Sequence, residues 1–430
     1  MDLYNFISLF GLFGLTGFAY LISSDRKNVN WHVVVWGISL QMLFAWFLFV
    51  FPAGIKFFLW INNAVVTLMN SSVAGAEFVF GPLARPSGQG SIGFILAFQA
   101  LPTIIFFSAL MSILYFYNII PRIIKAFAFL FTRLMKVSGA ESLCAASNIF
   151  VGVESVITVR PYLKDMTKSE LCTVLTAGMA TVASNVLALY VFSLQDIFPN
   201  IAGHLVSASF LSAPAALAMS KVLLPETGYP KTLGENVDAY VEKDSSVFEA
   251  IINGAMAGMR LIVGIVALLI AVLGLVALAD QLFSFFGSFI NHLFSINFDW
   301  RLKSILGYLF YPFTLLLGIP LSDAPILAQI IGERVVVTEV TAYRDLAVVV
   351  SQGTLTHPRS AVIATYALCG FAHVASLAIF IGGVAAIAPG KTKELAQVGF
   401  RALVAATLAC LMTGCIAGVF YTRGSILLGY

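Results

Sequence analysis

Two glutamates, Glu154 and Glu339, sit in apolar stretches too broken to be ordinary membrane spans. A carboxylate at membrane depth costs ~2.5–3.5 kcal/mol on insertion scales, so it faces a cavity, a partner or a solute. Asn148-Ile149-Phe150-Val151-Gly152-Val153 leads into Glu154, and Gly318-Ile319-Pro320 lies upstream of Thr338-Glu339. Interrupted segments at corresponding positions of two halves point to the binding site of a transporter. Two roles are open to these carboxylates. They accept hydrogen bonds from a polar solute, or they pair with Arg160 and Arg334 to hold the structure together.

Neutral oxygens accompany them. Asn148 and Thr181 offer side-chain oxygens, and a hairpin tip offers free carbonyls from residues such as Val151. Hard cations take oxygen ligands, and unwound backbone in transporters holds Na+ this way. An asparagine in a membrane helix also serves as interhelical glue. His373, with small neighbours Ala372 and Ala375, is a packing residue, a solute-binding donor or a group that titrates near its unperturbed pKa of about 6.5. Enzymes are excluded on motif grounds: the five histidines form no HExxH, and no Gly-x-Ser-x-Gly is present. The five cysteines form no CxxC pair and read as small buried hydrophobes.

Composition sets the elements that must position these groups. The chain is 60% apolar and 10% charged, with a mean hydropathy of +0.94, against roughly 25% charged residues in soluble domains. That is an integral membrane protein with all-helical spans of roughly 20 residues. Its net charge of +3 is too small and dispersed to suggest nucleic acid. Residues 5–23 read as a retained first helix rather than a signal peptide, and Arg26 and Lys27 after it place that loop in the cytoplasm.

Further spans are expected at 32–52, 93–117, 170–194, 204–223, 248–290, 338–351, 360–387 and 397–421. Residues 55–80 are expected to lie at least partly along the membrane surface, followed by a polar connector at 85–91. The basic residues Arg122, Lys125, Arg133 and Lys136 mark 119–137 as an interfacial amphipathic helix attracted to anionic lipid. Broken units are expected at 139–163 and 303–337. A Val-Ala-Ser triplet recurs at Val182-Ala183-Ser184 and Val374-Ala375-Ser376, each in a long apolar helix beyond its glutamate. Together these features suggest an inverted repeat. Four blocks follow: 1–117, 118–223, 224–300 with an acidic loop and a long helix, and 301–430.

Several segments, in order along most of the chain, resemble the concentrative nucleoside transporter family. They include Phe78-Val79-Phe80-Gly81, Phe98-Gln99-Ala100-Leu101-Pro102, Ser147-Asn148-Ile149-Phe150-Val151-Gly152 and Val159-Arg160-Pro161-Tyr162-Leu163. Others are Thr176-Ala177-Gly178-Met179-Ala180-Thr181-Val182-Ala183, His204-Leu205, Ser212-Ala213-Pro214-Ala215, Ile331-Gly332, Ala342-Tyr343 and Tyr366-Ala367-Leu368-Cys369-Gly370-Phe371-Ala372. The resemblance implies eight membrane helices, two re-entrant hairpins, interfacial helices, and a transport domain that moves like an elevator on a homotrimeric scaffold. It further implies a symporter in a bacterial inner membrane that imports nucleosides or close analogues with Na+, or H+, as coupling ion.

By the same resemblance Glu154 reads the base, and Glu339 with Ser376 binds the sugar. Phe371 and Val186 line the solute, and Na+ is held by Asn148, Thr181 and the Val151 and Val182 carbonyls. Departures fall near the site. Gly152-Val153-Glu154 is one residue shorter than the family's Gly-Gln-Thr/Ser-Glu and lacks its glutamine. Thr338 and His373 stand where the family has asparagines, and Ala183-Ser184-Asn185 replaces Ala-Gly-Ser. An altered solute preference is the expectation. Symport of another polar metabolite, or a non-transporting solute sensor, are the alternatives.

Overall fold

The computed structural model describes residues 2–85, 93–152, 154–195, 198–240 and 244–422. The connector expected at 85–91 therefore lies outside the described residues beyond Arg85, as does Val153 of the first tip. The described chain is all α-helical. It opens with α1 (Leu3–Leu21), α2 (Trp31–Phe49), α3 (Pro52–Phe80), α4 (Leu96–Gln99) and α5 (Leu101–Phe116). Then come α6 (Ile119–Met135), α7 (Gly139–Asn148), α8 (Ser155–Thr158), α9 (Lys168–Ala180), α10 (Ser184–Leu194) and α11 (Ile201–Leu223). The long α12 (Val247–Phe294) separates these from α13 (Leu302–Leu316), α14 (Ala324–Val336), α15 (Glu339–Ser351), α16 (Pro358–Leu368), α17 (Val374–Ile387) and α18 (Thr392–Phe420).

Among the described residues, eight helical stretches are long and apolar enough to cross a membrane. The chain is a multi-pass membrane protein. One of the eight, Pro52–Ala84, contains the stretch expected to lie at least partly along the membrane surface.

The run α6–α11 is repeated as α13–α18: a helix, two short arms around a tip, a helix pair separated by a break, then a long helix. At about 1.5 Å per residue the thirteen-residue arms α14 and α15 reach about 20 Å, short of a hydrocarbon core of about 30 Å. The span expected at 338–351 is thus the second arm of a hairpin whose tip is Val337-Thr338. Gly318-Ile319-Pro320 is the turn leading into its first arm.

The spans expected at 170–194 and 360–387 are interrupted at 181–183 and 369–373. The first Val-Ala-Ser triplet straddles its interruption, and the second, Val374-Ala375-Ser376, opens α17 just beyond its own. At the second break Gly370 has φ +147°, and a Cβ there would sit 2.9 Å from the Ala180 carbonyl and against the Cys410 sulfur. The two breaks therefore cross backbone to backbone, and only glycine permits both the dihedral and the approach.

Polar clasps pin the outer ends of both hairpins. Ser138 caps α7 and donates to Glu170 Oε1 at 2.6 Å, while Thr167 and Glu170 cap α9. Buried Lys221 of α11 pairs with Glu141 and donates to Ser169 Oγ at 2.9 Å. At the opposite hairpin, Asp323 accepts from Thr356 Oγ1 at 2.6 Å, Thr356 N at 3.0 Å and Ser360 Oγ at 2.6 Å. Both clasps join the start of a first arm to the start of the broken helix that follows. The tips are left as the irregular backbone between fixed points.

Candidate functional site

The first tip packs on the first break. Ser184 N donates to the Phe150 carbonyl at 3.2 Å, and a Cβ on Gly152 would lie 3.1 Å from that of Ala183. The start of α10 is thereby satisfied by a hairpin carbonyl instead of a side-chain cap. Ser209 Oγ bridges the break, accepting from Val182 N at 3.2 Å and donating to Val182 O at 3.3 Å.

Asn148 ends α7 fully buried. Its Nδ2 donates to Cys144 O at 2.9 Å, and its Oδ1 has no hydrogen-bond partner among the described residues. Thr181 Oγ1 donates to Ala177 O at 3.1 Å, which leaves its lone pairs free to accept. A buried amide oxygen, a hydroxyl and the carbonyls of a tip and a break form a neutral oxygen set suited to a hard monovalent cation. Asn148 and Val151 belong to the hairpin side of the tip–break contact, and Thr181 and Val182 to the break.

Glu154 caps the short α8 and lines a cavity of about 220 Å³. The walls are Phe150, Val151 and Thr158 of the first hairpin, Ser108, Ser112 and Tyr115 of α5, Asn185 of α10 and Gly254 of α12. Tyr240 and Asp244 close one end. They belong to the polar loop after α11, whose end lies beside the loop carrying Arg26 and Lys27, since Ser24 N donates to Leu223 O at 3.0 Å. A larger cleft of about 510 Å³ is lined by Arg160, Lys164 and Lys391. It contains no carboxylate and none of the expected site residues, so the Glu154 cavity is the candidate.

Glu339 occupies the matching place in the second repeat, at the first residue of α15 behind the Thr338 cap. Unlike Glu154, it is closed off. Tyr190 Oη donates to Oε1 at 2.6 Å, and His373 Nε2 lies 3.0 Å from Oε2.

His373 is fixed as the cap of α17. Its Nδ1 accepts from Ser376 N at 3.2 Å, its own N donates to Ser376 Oγ at 3.1 Å, and Ser376 Oγ donates to the His373 carbonyl at 2.7 Å. An Nδ1 that accepts leaves the imidazole proton on Nε2, facing Glu339. The Phe371 ring stands edge-on to His373 at 4.7 Å. Val186 is buried one turn before Tyr190.

The structural alternative of Glu339 paired with Arg334 gives way to this Tyr–Glu–His arrangement. Arg334 is instead fully buried beside the Cys410 thiol, with no carboxylate paired to its guanidinium among the described residues. The structure gathers Glu339, Thr338, His373, Phe371 and Ser376 around the second tip and break, and Glu154 with Asn148 and Thr181 around the first. The cavity lining includes Glu154 but not Glu339. Two participants escaped the sequence reading. Nothing in the sequence ties Tyr190 to a carboxylate 149 positions away. Asn185 did leave a signal, as a polar residue where the family has a small one.

Comparison with known proteins assigns the chain. Residues 10–83 match a family described as "Na+ dependent nucleoside transporter N-terminus", 97–196 match "Nucleoside recognition", and 204–418 match "Na+ dependent nucleoside transporter C-terminus". The mouse (Mus musculus) protein "Solute carrier family 28 member 3" is 37% identical over 96% of this chain, which spans 59% of its length. An "Uncharacterized transporter" of Haemophilus influenzae is 37% identical, covering 97% of this chain and 98% of that one. Among solved structures, CNTnw in an inward-facing substrate-bound state superimposes with a TM-score of 0.87 at 33% identity, over 97% of this chain and 98% of that one.

Proposed function

Because the chain belongs to the Na+-dependent, or concentrative, nucleoside transporter family, we propose that it is a secondary active symporter importing nucleosides or nucleoside-like solutes with Na+. Its setting is a bacterial inner membrane, as the near-full-length match to a bacterial relative supports. The two hairpins are re-entrant. They belong to a transport domain that moves like an elevator against the scaffold of α3, α5 and α12 in a homotrimer. The exposed apolar side chains along α12, such as Ile252, Val263 and Ile270, suit burial by lipid or a second copy.

The observation that carries the reading is Asn148 Oδ1, a buried acceptor without a donor at the meeting point of a hairpin tip and a helix break. A Na+ ion there satisfies it and joins tip to break, so the first hairpin closes on its solute only when the ion is bound. Solute enters beside Glu154, which takes the base. Val186 and Phe371 flank it, and Glu339 with Ser376 receives sugar hydroxyls once they displace Tyr190 or His373.

A thermal-stability panel of nucleosides, free bases and other polar metabolites, with and without Na+, tests this. Nucleosides stabilise the protein and Na+ enlarges the effect. Stabilisation confined to a metabolite outside that class, or indifferent to Na+, overturns the reading.

A further inference from the structure

The geometry points to Asn185 as a second base-reading group beside Glu154, and to solutes that carry an exocyclic amine on the edge the two residues meet. The inference rests on the reading of Glu154 as the base-facing carboxylate. Glu154 comes from the first hairpin and Asn185 from the second position of α10, yet both line the same cavity of about 220 Å³. Among the described residues Asn185 Oδ1 is buried without a hydrogen-bond partner, and Nδ2 makes only a long contact of 3.5 Å to Ser108 Oγ. An asparagine whose task is packing has its buried ends satisfied. This one is held loosely by its donor end, with its acceptor end unused.

The chemistry of the wall selects the solute. An ionised carboxylate only accepts; the amide accepts through Oδ1 and donates through Nδ2. An exocyclic amine carries two hydrogens on one nitrogen, so it serves Glu154 and Asn185 Oδ1 together. The ring nitrogen beside the amine then accepts from Nδ2, in the two-bond pairing that amide side chains make with adenine. An oxo base puts a carbonyl where the amine was. Its single neighbouring ring N–H satisfies one of the two acceptors and leaves the other buried and unpaired.

Adenine-type and cytosine-type edges are therefore preferred over hypoxanthine-type and uracil-type ones. The sequence fits this exchange of parts. The tip Gly152-Val153-Glu154 lacks an amide beside its carboxylate, and Asn185 supplies one from the opposite wall.

The test is competitive uptake by the full-length protein in proteoliposomes under a Na+ gradient, pairing adenosine with inosine and cytidine with uridine. Wild type prefers each amine by about tenfold, the size of one unsatisfied buried acceptor. Asn185→Ala and Asn185→Ser compress both ratios to about threefold or less. Equal uptake within each pair by wild type, or a ratio that survives both variants, overturns the role of Asn185 and leaves the symporter reading intact. Should a variant not reach the membrane, the wild-type ratio decides. Uptake of no nucleoside at all removes the symporter reading, and this inference with it.

Discussion

The two repeats follow the same path and treat their polar groups in opposite ways. In the first, Asn148 Oδ1 is unpartnered and Glu154 looks into a cavity. In the second, Glu339 is closed off by Tyr190 and His373, and the positive charge at the end of the first arm belongs to the chain itself, as Arg334. The outer clasps differ as well: a buried Lys221–Glu141 ion pair holds the first hairpin, and a single carboxylate with neutral donors holds the second. Duplicated architecture thus carries a carboxylate facing a cavity in one half and a closed-off carboxylate in the other.

The largest effect that would break this comparison is at the first clasp. Lys221→Met leaves Glu141 buried without its counter-charge, a loss of about 3–5 kcal/mol. The measurement is detergent thermal stability, with Asp323→Asn at the second clasp as the milder reference. Equal losses at the two clasps would erase the distinction between them.

Next comes Glu339→Gln. It weakens recognition of ribosides about ten- to a hundredfold, the range for a hydrogen bond to a charged group, while sugarless solutes are spared. Equal weakening of both in competition assays counts against its sugar-facing role.

The smallest effect belongs to Tyr190→Phe. The ring keeps its tilted packing 4.9 Å from that of Tyr343, and only the 2.6 Å donor to Glu339 is lost. The empty protein then loses about 1.5 kcal/mol of stability, and saturating solute recovers most of it by supplying hydroxyls in place of the phenol. A loss that solute does not recover would show that Tyr190 stands apart from the solute site.

Legibility in the sequence followed the kind of signal each feature leaves. Intramembrane carboxylates are costly enough to stand out, so Glu154 and Glu339 were visible, and both head a short second arm. The second hairpin was mislocated because its tip, Val337-Thr338, contains no glycine or proline, while Gly318-Ile319-Pro320 punctuates the turn before it. The break at 181–183 was hidden in a continuous apolar run. Its unwinding is stabilised by Ser209 and by the Phe150 carbonyl, contacts that exist only after folding. Gly370 was the one local hint of the second break. Tyr190 left none, because a tyrosine on an apolar face reads as core until its hydroxyl partner is known.

The central claim is that the first repeat is completed by Na+. Accumulation of labelled adenosine in proteoliposomes at clamped pH, with an inward Na+ gradient or with choline in its place, tests it most directly. The account predicts concentration above equilibrium with Na+, none with choline, none with a proton gradient alone, and loss of the Na+ effect in Asn148→Ala. Undiminished accumulation in choline, or an Asn148→Ala variant that still responds to Na+, would contradict it.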